Sequence, residues 1–338
     1  MTVSVGVPTY NRAYLIREAL ESALSQTYSD FEIIVVDDGS RDNTSSLVSG
    51  IRDPRVRLIR TEQNRGVAAA RNLFLREARG ELISFLDSDD LWKPNKLEKE
   101  VDFLERHPEA GGVFEDLEKQ DRGLYLASFQ RDTDYFSAML AEKKYPQEIV
   151  FTQREMQLCL LREVPIKPTA LTLRAGVFRQ TGPFNEDWRA GSDWEFLIRA
   201  SRFCRFGYID EPLAVLRLQN DATHRLHRIE NLSLHLAMYR QELLELKEQM
   251  DAVAEGHRDL SKHLAWAYLA NGQKSEAARA LARAFRESHD TSLLARSLFA
   301  YFPSRVRNGL RKLVRKKLEA PASDTTLGLG RLEKTKLL

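Results

Sequence analysis

Cysteine is scarce. The two present, Cys159 and Cys204, lie far apart and form no CxxC pair, which argues against a disulfide framework, a thiolate zinc site and a dithiol redox motif, and fits a reducing cytoplasm. Long apolar runs are missing as well: no window approaches the ~18 consecutive apolar residues of a membrane-spanning helix. The N-terminus enters a strand-like run at once, Val3-Ser4-Val5-Gly6-Val7, without the charged and apolar regions of a secretory signal. The expectation is a soluble protein, at most peripheral to a membrane. Charge of one sign is lacking too. Lys and Arg number 51 against 49 Asp and Glu, a formal +2, so the chain as a whole has no electrostatic bias toward nucleic acid. Neither GxGxxG nor a GxxxxGKS/T loop follows the first strand, which argues against hydride transfer on a dinucleotide fold and against P-loop hydrolysis.

What the sequence does have is apolar material, 43% of 338 residues, enough for a sizeable core and about two domains. Over residues 1–115 short β-rich runs alternate with helical patterns, the signature of βαβ units around a parallel sheet. Strands are expected at 3–7, 32–36, 56–60 and 81–86. Leu15, Ile16, Ala19, Leu20, Ala23 and Leu24 recur at helical spacing between the first two, and residues 66–72 open a helix between the last two. Residues 115–165 are weakly patterned and rich in charge, which suits a segment covering one face of the sheet. From Leu171 a strand-like Leu-Thr-Leu leads to a turn at Thr181-Gly182-Pro183, a helix from Ser192 or Asp193, and β-rich stretches at 205–209 and 213–216. These complete one domain over residues 1–220.

After Asp221 the β-branched residues thin out, and Leu, Ala, Glu, Arg and Gln dominate to residue 301, as in a helical module. Within it, residues 263–272 and 275–281 read as helix, Gly stop, Ser cap and second helix, a single tetratricopeptide-like hairpin where an array needs about three. Residues 302–338 read as a basic amphipathic helix and a frayed end. Eight basic residues and no acidic one fall between Arg296 and Leu318, so a basic tail follows a net acidic body. Val306, Leu310, Leu313 and Val314 form an apolar stripe there, which either lies on an anionic membrane surface through residues 303–318 or packs on the body. Aromatic interleaving is limited to Phe299, Tyr301 and Phe302 with no recognisable module, so nucleic acid is not an expected partner.

In open parallel sheets ligands bind beyond the carboxyl ends of the strands. The first strand is followed by Pro8-Thr9-Tyr10-Asn11-Arg12, the second by Asp37-Asp38-Gly39-Ser40 and the fourth by Asp87-Ser88-Asp89-Asp90. Taken singly, an Asp or Ser at such a place is a turn former or helix cap. Asp38, Asp87 and Asp89 together exceed that need, because a helix start uses one acceptor, and carboxylates gathered at one edge call for a cation or hydrogen-bond donors. The Gly-rich, Arg-containing loop of a sugar-nucleotide pyrophosphorylase is absent where Pro8-Thr9-Tyr10 stands.

The order and spacing of Val3 through Arg12, Ile34-Val35-Val36-Asp37-Asp38-Gly39-Ser40, Asn64-Arg65-Gly66 and Phe85-Leu86-Asp87-Ser88-Asp89-Asp90 resemble the serial motifs of glycosyltransferase family 2. Gly182-Pro183-Phe184-Asn185-Glu186 followed by Gly191-Ser192-Asp193-Trp194-Glu195 resembles the family's acceptor-side motif. The resemblance covers about residues 1–220. It implies a GT-A fold, that is, a mostly parallel α/β sheet flanked by helices, here followed by the C-terminal helical module. It further implies a nucleotide-sugar donor, usually UDP-linked, a divalent metal (Mn or Mg), and inverting transfer to a hydroxyl of a glycan or lipid-linked acceptor.

Carried over by motif position, Pro8 and Tyr10 would line the base pocket, Asp38 would accept from base or ribose, and Arg71 would close the pocket. Asp89 would bind the metal and Asp87 the ribose or a metal-bound water, while Asp90 is expected to cap the helix beginning at Pro94. Asp193 would be the general base, with Glu195 next in line. Two departures stand out: Ser192-Asp193 where many relatives show Glu-Asp, and Leu218-Gln219 where a His often follows Arg, with His224 a few residues later and unassigned. The rival reading is an inactive nucleotide-binding or scaffold module that recruits partners through its C-terminal helices.

Overall fold

The computed structural model describes residues 1–121, 124–126, 133–188, 191–218 and 277–279. The chain divides into two units, Met1–Leu260 and Ser261–Leu338. In the second unit only residues 277–279, a piece of helix with Ala277 and Ala278 buried, are described. The expected helical module, its hairpin, His224 and the basic tail therefore lie outside the described residues, those three positions apart.

The first unit is built on a ten-stranded sheet. Its elements, in chain order, are β1 (Val3–Thr9), α1 (Ile16–Leu24), β2 (Phe31–Asp37), α2 (Thr44–Ser49), β3 (Val56–Arg60), α3 (Val67–Glu77), β4 (Leu82–Phe85), β5 (Leu91–Trp92) and α4 (Lys96–Arg106). Then come β6 (Ala110–Asp121), β7 (Leu124–Leu126), α5 (Asp134–Glu142), β8 (Glu148–Phe151), α6 (Gln153–Arg162), β9 (Leu171–Arg174), α7 (Ala175–Thr181), α8 (Ser192–Ala200) and β10 (Arg205–Arg217). The strands run in the order β3-β2-β1-β4-β9-β6-β10-β5, with β7 on β6 and β8 on β10. β1, β2, β3 and β4 pair in parallel, as do β6 and β10, while β9 joins the two groups by antiparallel pairing to β4 and β6. All six parallel strands thus deliver their carboxyl ends to one edge.

The first three strands fall within two residues of expectation at either end because β1 and β2, buried on both faces, need nearly unbroken apolar runs. α1 buries Ile16, Ala19, Leu20 and Ala23 against the sheet, one stripe at helical period. On the other face α3 lies so close over β1 that a Cβ on Gly6 would meet the Phe74 ring at 2.4 Å.

The charged segment 115–165 departs from expectation: it supplies β6, an interior strand between β9 and β10. The polar run hid that strand because its charge is neutralised inside. Lys96 of α4 sets its ammonium 2.7 Å from Glu100, 3.4 Å from Glu115 of β6 and 4.5 Å from the centre of the Trp92 ring, and Thr172 donates to Glu100 at 2.9 Å. Burial pushes the Glu115 carboxyl well up, and the Lys96 ammonium opposes that rise. The stretches 205–209 and 213–216 are one strand, β10, with a register shift between Ile209 and Pro212.

Candidate active site

The carboxyl ends of β1 and β2 are fastened to each other by their loops. Asn11, with φ of 52°, donates its N–H to Ser40 Oγ (2.9 Å) and accepts from the Arg41 N–H through Oδ1 (2.8 Å). The Arg12 and Ala13 N–H groups donate to Thr44 Oγ1 (2.9 Å) and Asp42 Oδ2 (3.1 Å). Burial would push the Asp42 carboxyl up, but hydrogen bonds from Thr44 and Ala13 outweigh it and hold the group below its ordinary value. Pro8 is buried at the end of β1, and Tyr10, 37% exposed, stands at the mouth beside this double loop.

The four residues Asp37-Asp38-Gly39-Ser40 divide the labour. Asp37 accepts from the Ser40 N–H (2.9 Å) and from the Ser45 hydroxyl, bending the chain. Asp38, nearly fully buried, accepts from the Arg65 N–H with both oxygens (3.0 Å each), from the Gly66 N–H (2.7 Å) and from Thr61 Oγ1 (3.2 Å). Its acceptor positions are thus spent on the loop 61–66. These bonds fasten the loop 61–66 to the end of β2.

Gly39, at φ of 76°, gives that loop room: a Cβ there would sit 2.8 Å from the Gln63 carbonyl carbon. Gly39→Ala combines a left-handed conformation with a backbone clash and is expected to cost about 1–3 kcal/mol of stability. Urea denaturation checks this; an unchanged midpoint would mean that the loop moves aside freely.

At the end of β4 the acidic turn closes with the Asp90 N–H donating to the Asp87 carbonyl (2.9 Å). A guanidinium from a different element attends each part of it. Arg71 of α3, 4% exposed, donates to Asp87 Oδ1 at 3.0 Å while lying over Phe85 and Phe184, 5.9 and 5.6 Å from the ring centres. It braces the acidic turn from α3. Arg12 Nε lies 3.9 Å from Asp89 Oδ2. Arg217, at the end of β10, gives its N–H to Asp90 Oδ1 (3.0 Å) and its guanidinium to the Asp89 carbonyl and to Glu18.

Asp90 is buried and caps nothing. α4 begins at Lys96 with Asn95 before it. Burial, then the charges of Asp89 and Asp87, push the Asp90 carboxyl well above the ordinary carboxylate range. Asp87 and Asp89 keep 30% and 21% of their side-chain surface. Two hard oxygen donors at an open edge fit a hard divalent cation. Among the described residues no group of three or more Asp, Glu, His or Cys could enclose one alone.

On the acceptor side, the residue before α8 is Gly191, at φ of 75°, and Asp193 is the second residue of the helix. No side chain caps this helix, so Asp193 is not an N-cap. Among the described residues no donor engages its half-buried carboxylate. Glu195, by contrast, is committed. It accepts from Arg199 Nε and Nη2, and Arg199 in turn donates to the Thr181 and Pro183 carbonyls. The structure therefore removes it as a reserve base.

Sequence reasoning gave no role to Asn72 or Arg217, and it quoted Arg65 and Glu186 only as members of motifs. The Glu195–Arg199 pair had a visible signal in its i,i+4 spacing. The Asn72 contacts to Phe184 and Glu186 join residues more than a hundred positions apart and have none.

Residues 4–156 match the family described as Glycosyl transferase family 2. An uncharacterized glycosyltransferase of Haemophilus influenzae is 36% identical over 171 residues, 49% of this chain and 67% of that protein. The chain belongs to glycosyltransferase family 2.

The Escherichia coli enzyme WfgD, a UDP-Glc:alpha-D-GlcNAc-diphosphoundecaprenol beta-1,3-glucosyltransferase, is 43% identical over 102 residues, 30% of this chain and 40% of the enzyme. A Rickettsia felis glycosyltransferase is 36% identical over 220 residues. The chain spans 33% and 40% of the lengths of the R. felis and E. coli proteins.

Among solved structures, S. aureus TarS 1–349 with UDP-GlcNAc superposes with a TM-score of 0.57 at 19% identity, covering 87% of this chain and 91% of that one. The mannosyltransferase PcManGT from Pyrobaculum calidifontis, with GDP-Man and Mn2+, gives 0.56 at 23% identity, covering 94% and 86%. These likenesses establish the GT-A fold. No helix among the described residues is long and apolar enough to cross a membrane.

Proposed function

We propose that this family 2 glycosyltransferase moves a hexosyl group from a UDP-sugar to a hydroxyl of a glycan or lipid-linked acceptor, with inversion at the anomeric carbon and with Mn2+ or Mg2+ bound. The observation that carries the reading is the acidic turn at the carboxyl edge, where Asp87 and Asp89 stay partly exposed while Arg71, Arg12 and Arg217 hold the turn in place.

Pro8 and Tyr10 line the base pocket, Tyr10 offering its ring to the base. Asp38 serves it by holding the loop 61–66, and an N–H donated by the base would have to displace one of those bonds. Asp89 is the metal-binding carboxylate and Asp87, oriented by Arg71, meets the ribose or a metal-bound water. The cation supplies Lewis-acid neutralisation of the charge that grows on the departing diphosphate.

Asp193 takes the proton of the acceptor hydroxyl as its oxygen bonds to the anomeric carbon and the bond to the diphosphate breaks, its electron pair leaving with UDP. A free carboxylate suits that task and the paired Glu195 does not. Two known proteins support the donor class: TarS was seen with UDP-GlcNAc, and WfgD takes UDP-Glc. Thermal unfolding in the presence of UDP, GDP and UDP-sugars, with and without Mn2+, tests it. Metal-dependent stabilisation by UDP is expected, and indifference to every nucleotide would refute the reading.

The diphosphoundecaprenol acceptor of WfgD favours a lipid-linked acceptor and a place at the inner face of the cell membrane. The basic segment 303–318 then acts as the membrane contact. Deleting residues 303–338 should abolish sedimentation with anionic phosphatidylglycerol vesicles while donor hydrolysis stays at the parent rate. Undiminished vesicle binding by the truncated chain would rule the tail out.

A further inference from the structure

Two consecutive residues of α3 reach two different parts of the site. Arg71 goes to the acidic turn; Asn72, 4% exposed, goes to the turn at 182–186. The Asn72 side chain pairs with Phe184 as a strand would. Oδ1 accepts from the Phe184 N–H at 2.8 Å and Nδ2 donates to the Phe184 carbonyl at 2.9 Å. The second Nδ2 hydrogen goes to Glu186 Oε1 at 3.0 Å. Glu186 Oε2 accepts from Arg65 Nη2, also at 3.0 Å, and Arg65 sits in the loop whose N–H groups Asp38 holds. On its other side the same turn is gripped by Arg199 of α8 through the Thr181 and Pro183 carbonyls, with Glu195 fixing the guanidinium. Phe184 itself packs 4.6 Å from Phe196 of α8 and 5.6 Å from Phe85 of β4.

A continuous run of hydrogen bonds therefore leads from Asp38 through Arg65, Glu186 and Asn72 to the turn, and on through Arg199 to the helix that carries Asp193. Only an amide of this length closes the central step: Asp has no donor for the Phe184 carbonyl, and Gln is one methylene too long.

We infer that Asn72 is a positioning residue, whose clasp with Glu186 and Arg65 makes the donor-pocket loop 61–66 and the acceptor-side helix α8 respond to donor as one body. The inference rests on the reading of the loop as a donor-pocket wall and of α8 as the carrier of the base. The coupling needs no chemistry from Asn72, which touches neither the acidic turn nor Asp193. It fixes where Asp193 stands when the donor loop tightens, and a loose α8 would lower kcat while leaving donor affinity as it was.

Hydrogen exchange followed by mass spectrometry tests this on the full chain, with UDP and Mn2+ as the probe. In the parent, UDP with Mn2+ should slow exchange in the loop 61–66 and also across 182–200. In Asn72→Ala the first effect should persist, with UDP affinity within twofold of the parent, and the second should vanish. Glu186→Gln, a half-exposed site that leaves Asn72 and Phe184 paired, should weaken the slowing at 182–200 about threefold, and it carries the test if Asn72→Ala fails to fold.

Persistence of the slowing at 182–200 in both variants would overturn the inference. So would a loss of UDP affinity of tenfold or more in Asn72→Ala, which would put Asn72 in the donor pocket. If the parent itself does not bind UDP, the donor reading fails. The clasp is then judged without ligand, by whether Asn72→Ala speeds exchange at 182–200 while β1 and β2 stay protected; equal exchange there would remove it too.

Discussion

Asp89→Asn is expected to leave the protein folded, to abolish the stabilisation that Mn2+ adds to UDP binding, and to reduce sugar transfer on the order of 10³-fold. The substitution keeps the shape. The Asp89 carbonyl still accepts from the Arg217 guanidinium, and the turn is still closed by the Asp90 N–H on the Asp87 carbonyl. What disappears is one negative charge at a place where three carboxyls crowd four residues. Unliganded stability should therefore hold or rise slightly, since the Asp89 charge repels the neighbouring Asp90 carboxyl. Metal affinity behaves oppositely, because an amide oxygen is a neutral donor and Asp87 is already shared with Arg71. Calorimetric titration of Mn2+ in the presence of UDP, beside a UDP-release assay, separates these effects. Metal-stimulated turnover at the parent rate in Asp89→Asn would remove Asp89 from the metal site.

Three guanidinium groups compensate the acidic turn. Arg71 comes from α3, Arg12 from the loop after β1 and Arg217 from the last strand; the first two meet the Asp87 and Asp89 carboxyls, and Arg217 meets the Asp89 carbonyl and the Asp90 carboxyl. Compensation by fixed guanidinium groups is the alternative to a permanently bound cation. Arg12 lies at 3.9 Å from Asp89, the longest of the three separations.

The half of the fold that the sequence displays is the half built from central strands. β1, β2 and β3 carry their apolar runs openly, and the Gly66 break before α3 is equally visible, at φ of 96°. β6 was concealed for a physical reason: Glu115, Glu118 and Lys119 read as surface, and the Lys96 ammonium that faces Glu115 inside comes from another element, α4. At the site the strand-end acids were legible because their number exceeds what turns and caps require. Their division of roles was not. That Asp38 is saturated by the loop 61–66, that Arg71 lies beneath Asp87, and that Asp90 answers to Arg217 all depend on which distant loops meet, and no local pattern encodes that meeting. The same limit hid Asn72, which in an Ala-rich helix start looks like any polar helix residue until Phe184 is seen against it.

Asp193→Asn is expected to lower sugar transfer on the order of 10²-fold or more, the scale of general-base removal, with UDP and Mn2+ affinities within twofold of the parent. Attack by an acceptor hydroxyl needs a proton acceptor in reach as the new bond forms, and a carboxylate tied up in an ion pair is a poor one. Of the two acids in the first turn of α8, Glu195 is held by Arg199, whereas Asp193 meets no donor among the described residues. Asparagine preserves the size of the side chain and cannot disturb a cap, because Gly191 precedes the helix and no side chain caps it. The loss should therefore fall on kcat, with the donor KM and the unfolding temperature nearly unchanged. Raising the pH should not restore the rate, since the amide has no proton to give up in the working range. Transfer by Asp193→Asn at close to the parent rate would mean that the base lies elsewhere on the acceptor side, and Glu195→Gln would not reveal it, because that change loosens Arg199 and with it the turn at 182–186.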